Sequence, residues 1–551
     1  MPVINFNLED LKSLIGTSME DREVLDRVPM IGADFHDFDP VTKETSIEFF
    51  PNRPDLYSVE GLARALRAFF DIELGLRTYD MASSDIVLKV EPSVKNVRPY
   101  VVGAIIRGVN LDDTTIRSLM ELQEKLHLTV GRKRAKVAIG VHDLDKVEPP
   151  FIYKAVPPNS ISFVPLAKDE VMTLAEVLEK HEKGRDYKCL LEGKELYPVI
   201  LDRNNQLLSF PPIINGRLTT VTKHTKNLFI DVTGTDQNTI SGVLNIVCTS
   251  IAERSGVIET ITLRGEEKGM TPNLRSKQWL LDVDRTNAAL GLDLEPLAMC
   301  QCLTRMGYSA EPKGRKVKVS SSPVRMDLMH PADVVEDVAI GYGYENFGNS
   351  RPVFSTIGGE RKMERVADLV RQMMVGFGYW EVTTLTLSSM NEQFSMVPFP
   401  ASEAVEVLNP VSEDHNCLRV QLIPSLMAIL RKSKHRDLPQ RIFEVGDVVV
   451  GCKRRKHLAV LAIHSKAGFT EIKSLVEGVL KELGVQCSLQ SGDMEMFIPG
   501  RCAVIKVNGR QVGHFGEMHP QVITAYELGY PTVAFELDLQ DLMSGRGDKI
   551  I

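Results

Sequence analysis

Apolar residues recur along this chain at helical and strand periods, and the changes of period divide it into four segments. In the first, 1–85, Asn7 is placed to cap a short helix, Leu8 to Ile15, that Gly16 ends. Two prolines bracket Asn52-Arg53 in Pro51-Asn52-Arg53-Pro54-Asp55-Leu56, which predicts an extended, rigid turn. Ser58 then opens a helix with Leu62, Leu66 and Phe69 on one face and Arg64 and Arg67 on others.

The second segment, 86–268, mixes strands and helices. Val101 to Ile106 is rich in strand formers, and Ile116 to Leu128 reads as a helix. The basic run Arg132-Lys133-Arg134-Ala135-Lys136 follows, and then a strand from Val137 to Val141. Leu207 to Asn215 and Leu228 to Gly234 each set polar side chains into an apolar strand beside a turn, the pattern of a pocket lining. The third segment, 269–348, is compact. It predicts strands at Trp279 to Val283 and Lys316 to Ser320, and helices at Arg285 to Leu290, Pro296 to Met306 and Pro331 to Gly341. Pro331 suits a first helical position, where a missing N–H costs nothing. The fourth, 355–551, opens with an amphipathic helix striped by Met363, Val366, Val370 and Met373. Later, Asn508-Gly509 between two apolar runs predicts a type I′ hairpin. The fold class expected is α+β and multidomain.

Composition narrows the function. The chain has 551 residues, too many for one hydrophobic core. Apolar residues at 43% and charged residues at 25% are ordinary for globular domains. A net charge of −8 argues against a free-standing nucleic-acid binder, so RNA contacts would need a local patch or a partner. Met1 to Gly16 has no apolar core of a secretory signal, and no run approaches the roughly 20 apolar residues of a membrane span. Eight scattered cysteines without a CxxC pair predict reduced, mostly buried thiols in a cytoplasmic protein.

One cluster suggests a metal. Asp327 ends a strand, and Asp333, Glu336 and Asp337 follow at i, i+3 and i+4 of a helix, which predicts convergence on one face. All-oxygen ligands favour Mg²⁺. The alternative is that Asp333 complements the helix N-terminus and the others are solvated.

Several stretches, in order, resemble one family. They include Asn52-Arg53-Pro54-Asp55-Leu56, Pro211-Pro212-Ile213-Ile214-Asn215, and Arg325-Met326-Asp327 through Tyr342-Gly343-Tyr344. Leu408-Asn409-Pro410, Arg441-Ile442-Phe443-Glu444-Val445-Gly446, Ile498-Pro499-Gly500-Arg501 and Gly516-Glu517-Met518-His519-Pro520 continue the series. The ordered set resembles phenylalanyl-tRNA synthetase β subunits over nearly the whole chain. The chain ends soon after Phe535-Glu536-Leu537, with no room for the C-terminal anticodon-binding domain of bacterial forms, so it is similar to the shorter archaeal and eukaryotic type.

The resemblance implies an N-terminal domain, an editing and tRNA-binding α/β domain, a small winged-helix-like domain, and a class II synthetase catalytic-like antiparallel-sheet domain. It implies a ligase that uses ATP and Mg²⁺ with an α subunit, as an (αβ)₂ heterotetramer acting on tRNA(Phe). Arg441 to Gly446 resembles the motif 2 strand, but no motif 3 is present: neither Gly376-Phe377-Gly378 nor Gly341-Tyr342-Gly343 is followed by Glu-Arg. No aminoacylation residue is therefore expected in this chain. The family's Mg²⁺ positions, shared with the α subunit, fall on Asp327, Asp333, Glu336 and Asp337, the last commonly Glu.

Family β subunits also hydrolyse Tyr-tRNA made in error. Ser209, Asp231 and Thr233 are the polar candidates for that pocket, and Ile200 would wall the aromatic ring where the archaeal pattern has Leu. Asp231 and Thr233, two apart on a strand, face one side and are expected to share the cavity. Ordinary polar strand ends are the alternative. No Ser-His-Asp set is visible, so a positioned water is expected to attack. Arg132, Lys133, Arg134 and Lys136 are candidates for tRNA phosphates, with a solvated charged face the equal alternative by composition. A stand-alone Tyr-tRNA deacylase and a scaffold with a decayed pocket are the rival readings.

Overall fold

The computed structural model describes residues 2–349, 351–399 and 404–543. It falls into two compact units, 1–350 and 351–551.

The first unit begins with strands Val3–Asn7, Ala33–Phe38 and Glu44–Phe49, the last in the middle of an antiparallel sheet. Helix Leu8–Ile15 forms as its end signals require: the Asn7 side chain accepts from Glu9 N, and Gly16 closes it at φ 78°. Between the sheet and helix Val59–Phe69, Pro54–Leu56 winds into a 3₁₀ turn directly after the Asn52-Arg53 pair that the prolines bracket. Arg53 supplies the reason: its Nε and Nη2 grip the Asp55 carboxylate at 2.9 and 2.8 Å, which pulls the chain round. Ser58 caps the helix through Gly61 N, 3.2 Å away.

Ten strands make the large sheet. Along it run Ile214–Asn215, Leu207–Phe210, Tyr197–Leu201, Phe151–Val156, Met81–Val90, Val257–Gly265, Tyr100–Arg107, Asn227–Gly234 and Val137–Asp143, with Gly269–Thr271 paired to Val257–Gly265. Met81–Val90 is parallel to both its neighbours, and the other pairs are antiparallel. The sheet therefore runs from 81 to 271, across the boundaries that periodicity suggested at 85 and 268. Helix Gln237–Ala252, buried almost throughout, covers it. A smaller fold follows: strands Lys277–Asp282, Lys316–Ser321 and Ser309–Lys313 with helices Val283–Leu290, Pro296–Arg305 and Pro331–Tyr342.

The N-terminal part is fastened to the large sheet's helix by charge. Arg254 holds Asp10 through both Nη atoms, at 3.0 and 2.6 Å, and Glu60 through Nε. Arg67 and the Tyr79 hydroxyl converge on buried Glu253. Such pairs set one geometry rather than add much net stability, because desolvation offsets most of the attraction.

The second unit is a seven-stranded sheet in the order Trp380–Glu381, Gln440–Val450, Lys453–Ile463, Thr532–Asp538, Arg510–Met518, Phe497–Val507 and Ser488–Ser491, antiparallel except at its first pair. Asn508 and Gly509, at φ 52° and 80°, make the hairpin their sequence predicts. All eight cysteines are free, five of them buried. No helix among the described residues is long and apolar enough to cross a membrane.

Inside this unit His457 Nδ1 lies 2.7 Å from Glu536 Oε1, and its Nε2 3.6 Å from Asp538. Burial opposes the imidazolium, but the Asp538 and Glu536 carboxylates outweigh it and lift His457 to about 9. A base raised on folding stabilises fully below its unfolded value, near 6.5, and loses that contribution as pH rises through 9. The unit should therefore lose up to about 3 kcal/mol between pH 6.5 and 9.5. Urea unfolding across that range checks this, and in His457→Asn the loss should flatten.

Candidate functional site

Strand Asn227–Gly234 is buried at every position after Asn227, between Tyr100–Arg107 and Val137–Asp143. Asp231 sits in its middle, 1% exposed. A carboxylate there needs partners. The register supplies one in an unusual way. Asp231 is opposite Gly140, so its neighbour has no side chain. His142, two residues on and on the same face, crosses that gap, and its Nε2 lies 2.7 Å from Asp231 Oδ1. A Cβ on residue 140 would fall 2.1 Å from Asp231 Oδ1 and 2.7 Å from His142 Nε2. Phe229, opposite His142, stacks on its ring at 5.9 Å.

His142 Nδ1 lies 2.7 Å from Thr219 Oγ1. A carboxylate only accepts, so against one Nε2 carries a ring proton, while the Thr219 hydroxyl also lies 3.3 Å from the Gly216 carbonyl, to which it can donate. Asp231, His142 and Thr219, all 1% exposed or less, thus form a continuous chain. The second oxygen of Asp231 makes no hydrogen bond among the described residues.

Asp231 and Thr219 line a cavity of about 500 Å³, and Ser209 lines it too. Small-molecule sites occupy roughly 300–1,000 Å³. Ile116, Leu119, Met120, Ile139 and Ile213 supply apolar wall from helix Asp113–Leu128, strand Val137–Asp143 and the 211–221 loop. The polar side of the wall is Glu124, His127 and Arg134. With His127 and then Arg134 beside it, the Glu124 carboxyl is held down at about 2.

Two expected pocket residues lie elsewhere. Ile200, opposite Ser209 in the sheet, is in the main core and does not line the cavity. Thr233 does not line it either: Arg98 donates to its hydroxyl at 2.9 Å and to its carbonyl at 2.8 Å. Arg98 is buried, which works against its charge. His142, Thr219, Gly140 and Arg98 were not singled out by sequence. Gly140 inside an apolar strand, two residues before a histidine, was the available signal.

The basic run divides. Arg132 and Lys133 are exposed, and Lys136 is half-buried with its Nζ 3.9 Å from Asp236. Arg134 is 8% exposed and belongs to the cavity wall.

The four carboxylates expected to hold Mg²⁺ do not converge. Asp333 accepts from Met329 N and His330 N, each at 2.7 Å, and so closes the first turn of its helix. Asp337 turns inward to the Tyr308 hydroxyl and to Arg325 Nη2 at 2.7 Å. Arg325 also holds Asp327, at 2.9 and 2.7 Å, and Glu336 is exposed. One arginine therefore balances Asp327 and Asp337, and this arrangement does not fit a four-carboxylate cation site. Helical spacing put three acids near one another but could not reveal the arginine behind Asp337. Among the described residues, the group whose ligand atoms all lie within 4.8 Å of one another is Asp34, His36 and Glu48.

If the glycine gap is what lets Asp231 and His142 meet, Gly140→Ala should cost about 1–3 kcal/mol, the range for overpacking. Chemical denaturation measures the loss. Parental stability, with an unshifted His142 ring signal by NMR, would mean the gap is not needed.

Three family models match in order: the B3/4 domain over 97–247, the tRNA synthetase B5 domain over 280–344, and the phenylalanyl tRNA synthetase beta chain CLM domain over 349–539. The chain is 45% identical to the phenylalanine–tRNA ligase beta subunit of Archaeoglobus fulgidus, over 98% of each. It is 44% identical to that of Methanothrix thermoacetophila, over 98% of this chain and 100% of that one. A crystal structure of an N-terminal fragment of the phenylalanyl-tRNA synthetase beta subunit from Pyrococcus horikoshii matches with a TM-score of 0.60 and 38% identity, over 62% of this chain and 99% of the fragment. Matched at this identity along nearly its whole length, the chain belongs to the phenylalanine–tRNA ligase β-subunit family.

Proposed function

We propose that this chain works with an α subunit, which carries the active site, to attach phenylalanine to tRNA(Phe), and that its Asp231 cavity hydrolyses Tyr-tRNA(Phe). ATP and Mg²⁺ belong in this reading to the reaction on the α subunit. The second unit exposes Trp380 at 78%, Leu385 at 65% and Val375 at 60%, apolar surface suited to a partner chain in an (αβ)₂ assembly.

The observation that carries the hydrolytic reading is a carboxylate with one unbonded oxygen, Asp231, among the residues that line the cavity. Tyrosine and phenylalanine differ by one hydroxyl. A site that hydrogen-bonds that hydroxyl can reject the analogue lacking it by roughly 10⁴ or more, since the buried acceptor is otherwise left unpaired. Asp231 is the buried acceptor. His142 holds its other oxygen, and Thr219 holds His142. The tRNA body cannot enter the cavity, so the ester stays near the opening while the ring points inward. A water at the ester then attacks the carbonyl carbon, and the bond to the ribose oxygen breaks with a proton passing to that oxygen.

A hydrogen bond to a charged partner is worth about 1.5–3 kcal/mol, or roughly tenfold to a hundredfold in rate. Asp231→Ala in the αβ complex should slow release of labelled tyrosine from preformed Tyr-tRNA by that factor. Phe-tRNA synthesis should stay near the parental rate. Unchanged tyrosine release would place hydrolysis elsewhere, and an equal loss of synthesis would show that the substitution had only disrupted the fold.

A further inference from the structure

Arg132, Lys133 and Arg134 occupy the left-handed region in succession, at φ 48°, 52° and 66°. For L-residues this region is visited singly, and a run of three without glycine is unfavourable at every step. The surrounding backbone enforces it. Arg132 N bonds Thr129 O at 2.9 Å, Arg134 N bonds His127 O at 3.1 Å, and Lys136 N bonds Gly131 O at 2.8 Å. Gly131 lets the chain cross here, since a Cβ would lie 2.7 Å from His127 O and 2.8 Å from Val137 O.

The turn has two products. It sends the Arg134 side chain back into the cavity wall, where Nη1 bonds Ile213 O at 2.9 Å, Nη2 bonds Glu124 at 2.6 Å, and the guanidinium lies 4.5 Å from the Tyr187 ring centre. It also leaves Arg132 and Lys133 exposed at the two positions before Arg134 of that wall. Lys183, distant in sequence, lines the same cavity and faces the same ring at 6.0 Å. Among the described residues, neither Arg132, Lys133 nor Lys183 forms an ion pair. In a chain of net charge −8, one cation on the cavity wall and the two preceding Arg134 of that wall are thus without an ion pair.

We propose that Arg132, Lys133 and Lys183 grip the phosphates of the single-stranded RNA 3′ end whose terminal ester enters the cavity, with Arg134 as the anchor that fixes the turn. This rests on the hydrolytic reading above. With the acyl group inside, the last phosphodiesters must pass close to the opening. Packing does not explain the strain at Arg132 and Lys133, whose side chains touch solvent and where glycine would sit without penalty. Strained backbone of this kind persists at sites that position ligands.

The test uses the αβ complex and two esters: preformed Tyr-tRNA, and 2′(3′)-O-tyrosyl adenosine, which has the ribose ester but no phosphate. Arg132→Glu with Lys133→Glu should lower kcat/KM for Tyr-tRNA at least tenfold at low salt and leave the adenosine ester unchanged. The dependence of log kcat/KM on log salt should lose about 1.4 in slope, two contacts at about 0.7 each for a single strand. Arg132→Gly with Lys133→Gly keeps the turn and removes both cations, so it should also lower Tyr-tRNA hydrolysis without lowering the unfolding temperature, whereas a purely structural turn would lose neither. Equal loss on both esters, or no loss on Tyr-tRNA, overturns the grip. If the parent complex cleaves neither ester, the hydrolytic reading itself has failed and the grip falls with it.

Discussion

A carboxylate in the middle of a buried strand is the constraint around which the first unit is organised. Left alone, Asp231 would pay several kcal/mol of desolvation or lose its charge. Its partner must come from the neighbouring strand, and the ladder decides which residue that is. Gly140 opposite leaves a gap, His142 fills it diagonally, and Thr219 completes the chain from a loop. A shift of one residue in this pairing would turn His142 to the other face and leave the charge unmatched. The pairing therefore favours one register, and that register places Asp231 at the cavity.

The same logic disposes of the acids elsewhere in this unit. Asp55 closes its own turn on Arg53, Glu253 ties two N-terminal groups, and Asp327 and Asp337 share Arg325. Glu253 joins segments 174 and 186 residues apart, while Asp55 and Asp327 are each taken by an arginine two residues away, so clustering along the chain is a poor guide to a free ligand set. Asp231 differs from them because its partner is one imidazole rather than an arginine fork, and one nitrogen satisfies one oxygen.

Local signals carried well from sequence to structure. Asn7 and Gly16 bound their helix, Asn508-Gly509 made its hairpin, and Pro331 opened its helix, because each depends on neighbours a few residues away. Asp231 and Ser209 reached the cavity for the same reason: a polar residue in an apolar strand must face something. What failed depended on register or on distant partners. Strand alternation put Thr233 on the same face as Asp231, but Arg98, 135 residues away in sequence, had claimed its hydroxyl. Ile200 lay one strand too deep. Arg132, Lys133 and Arg134 read as one basic run because composition contains no φ, and the left-handed turn separates them by role.

The second unit contrasts with this. Arg441, on the strand resembling motif 2, is paired with Glu471 at 3.1 Å. Arg419 is enclosed by Glu444 at 2.8 Å, Thr384 at 2.6 Å and the Asp447 carbonyl at 2.8 Å. Glu536 accepts from Leu422 N and Ile423 N as well as facing His457. An arginine fork binds phosphate by offering two free donors, and freeing them here would strand a buried carboxylate at a cost of roughly 3–5 kcal/mol. Glu444, 3% exposed on its side chain, would be such a residue if Arg419 were drawn away. Charges closed upon one another in this way hold the two arginines in fixed positions within the sheet domain.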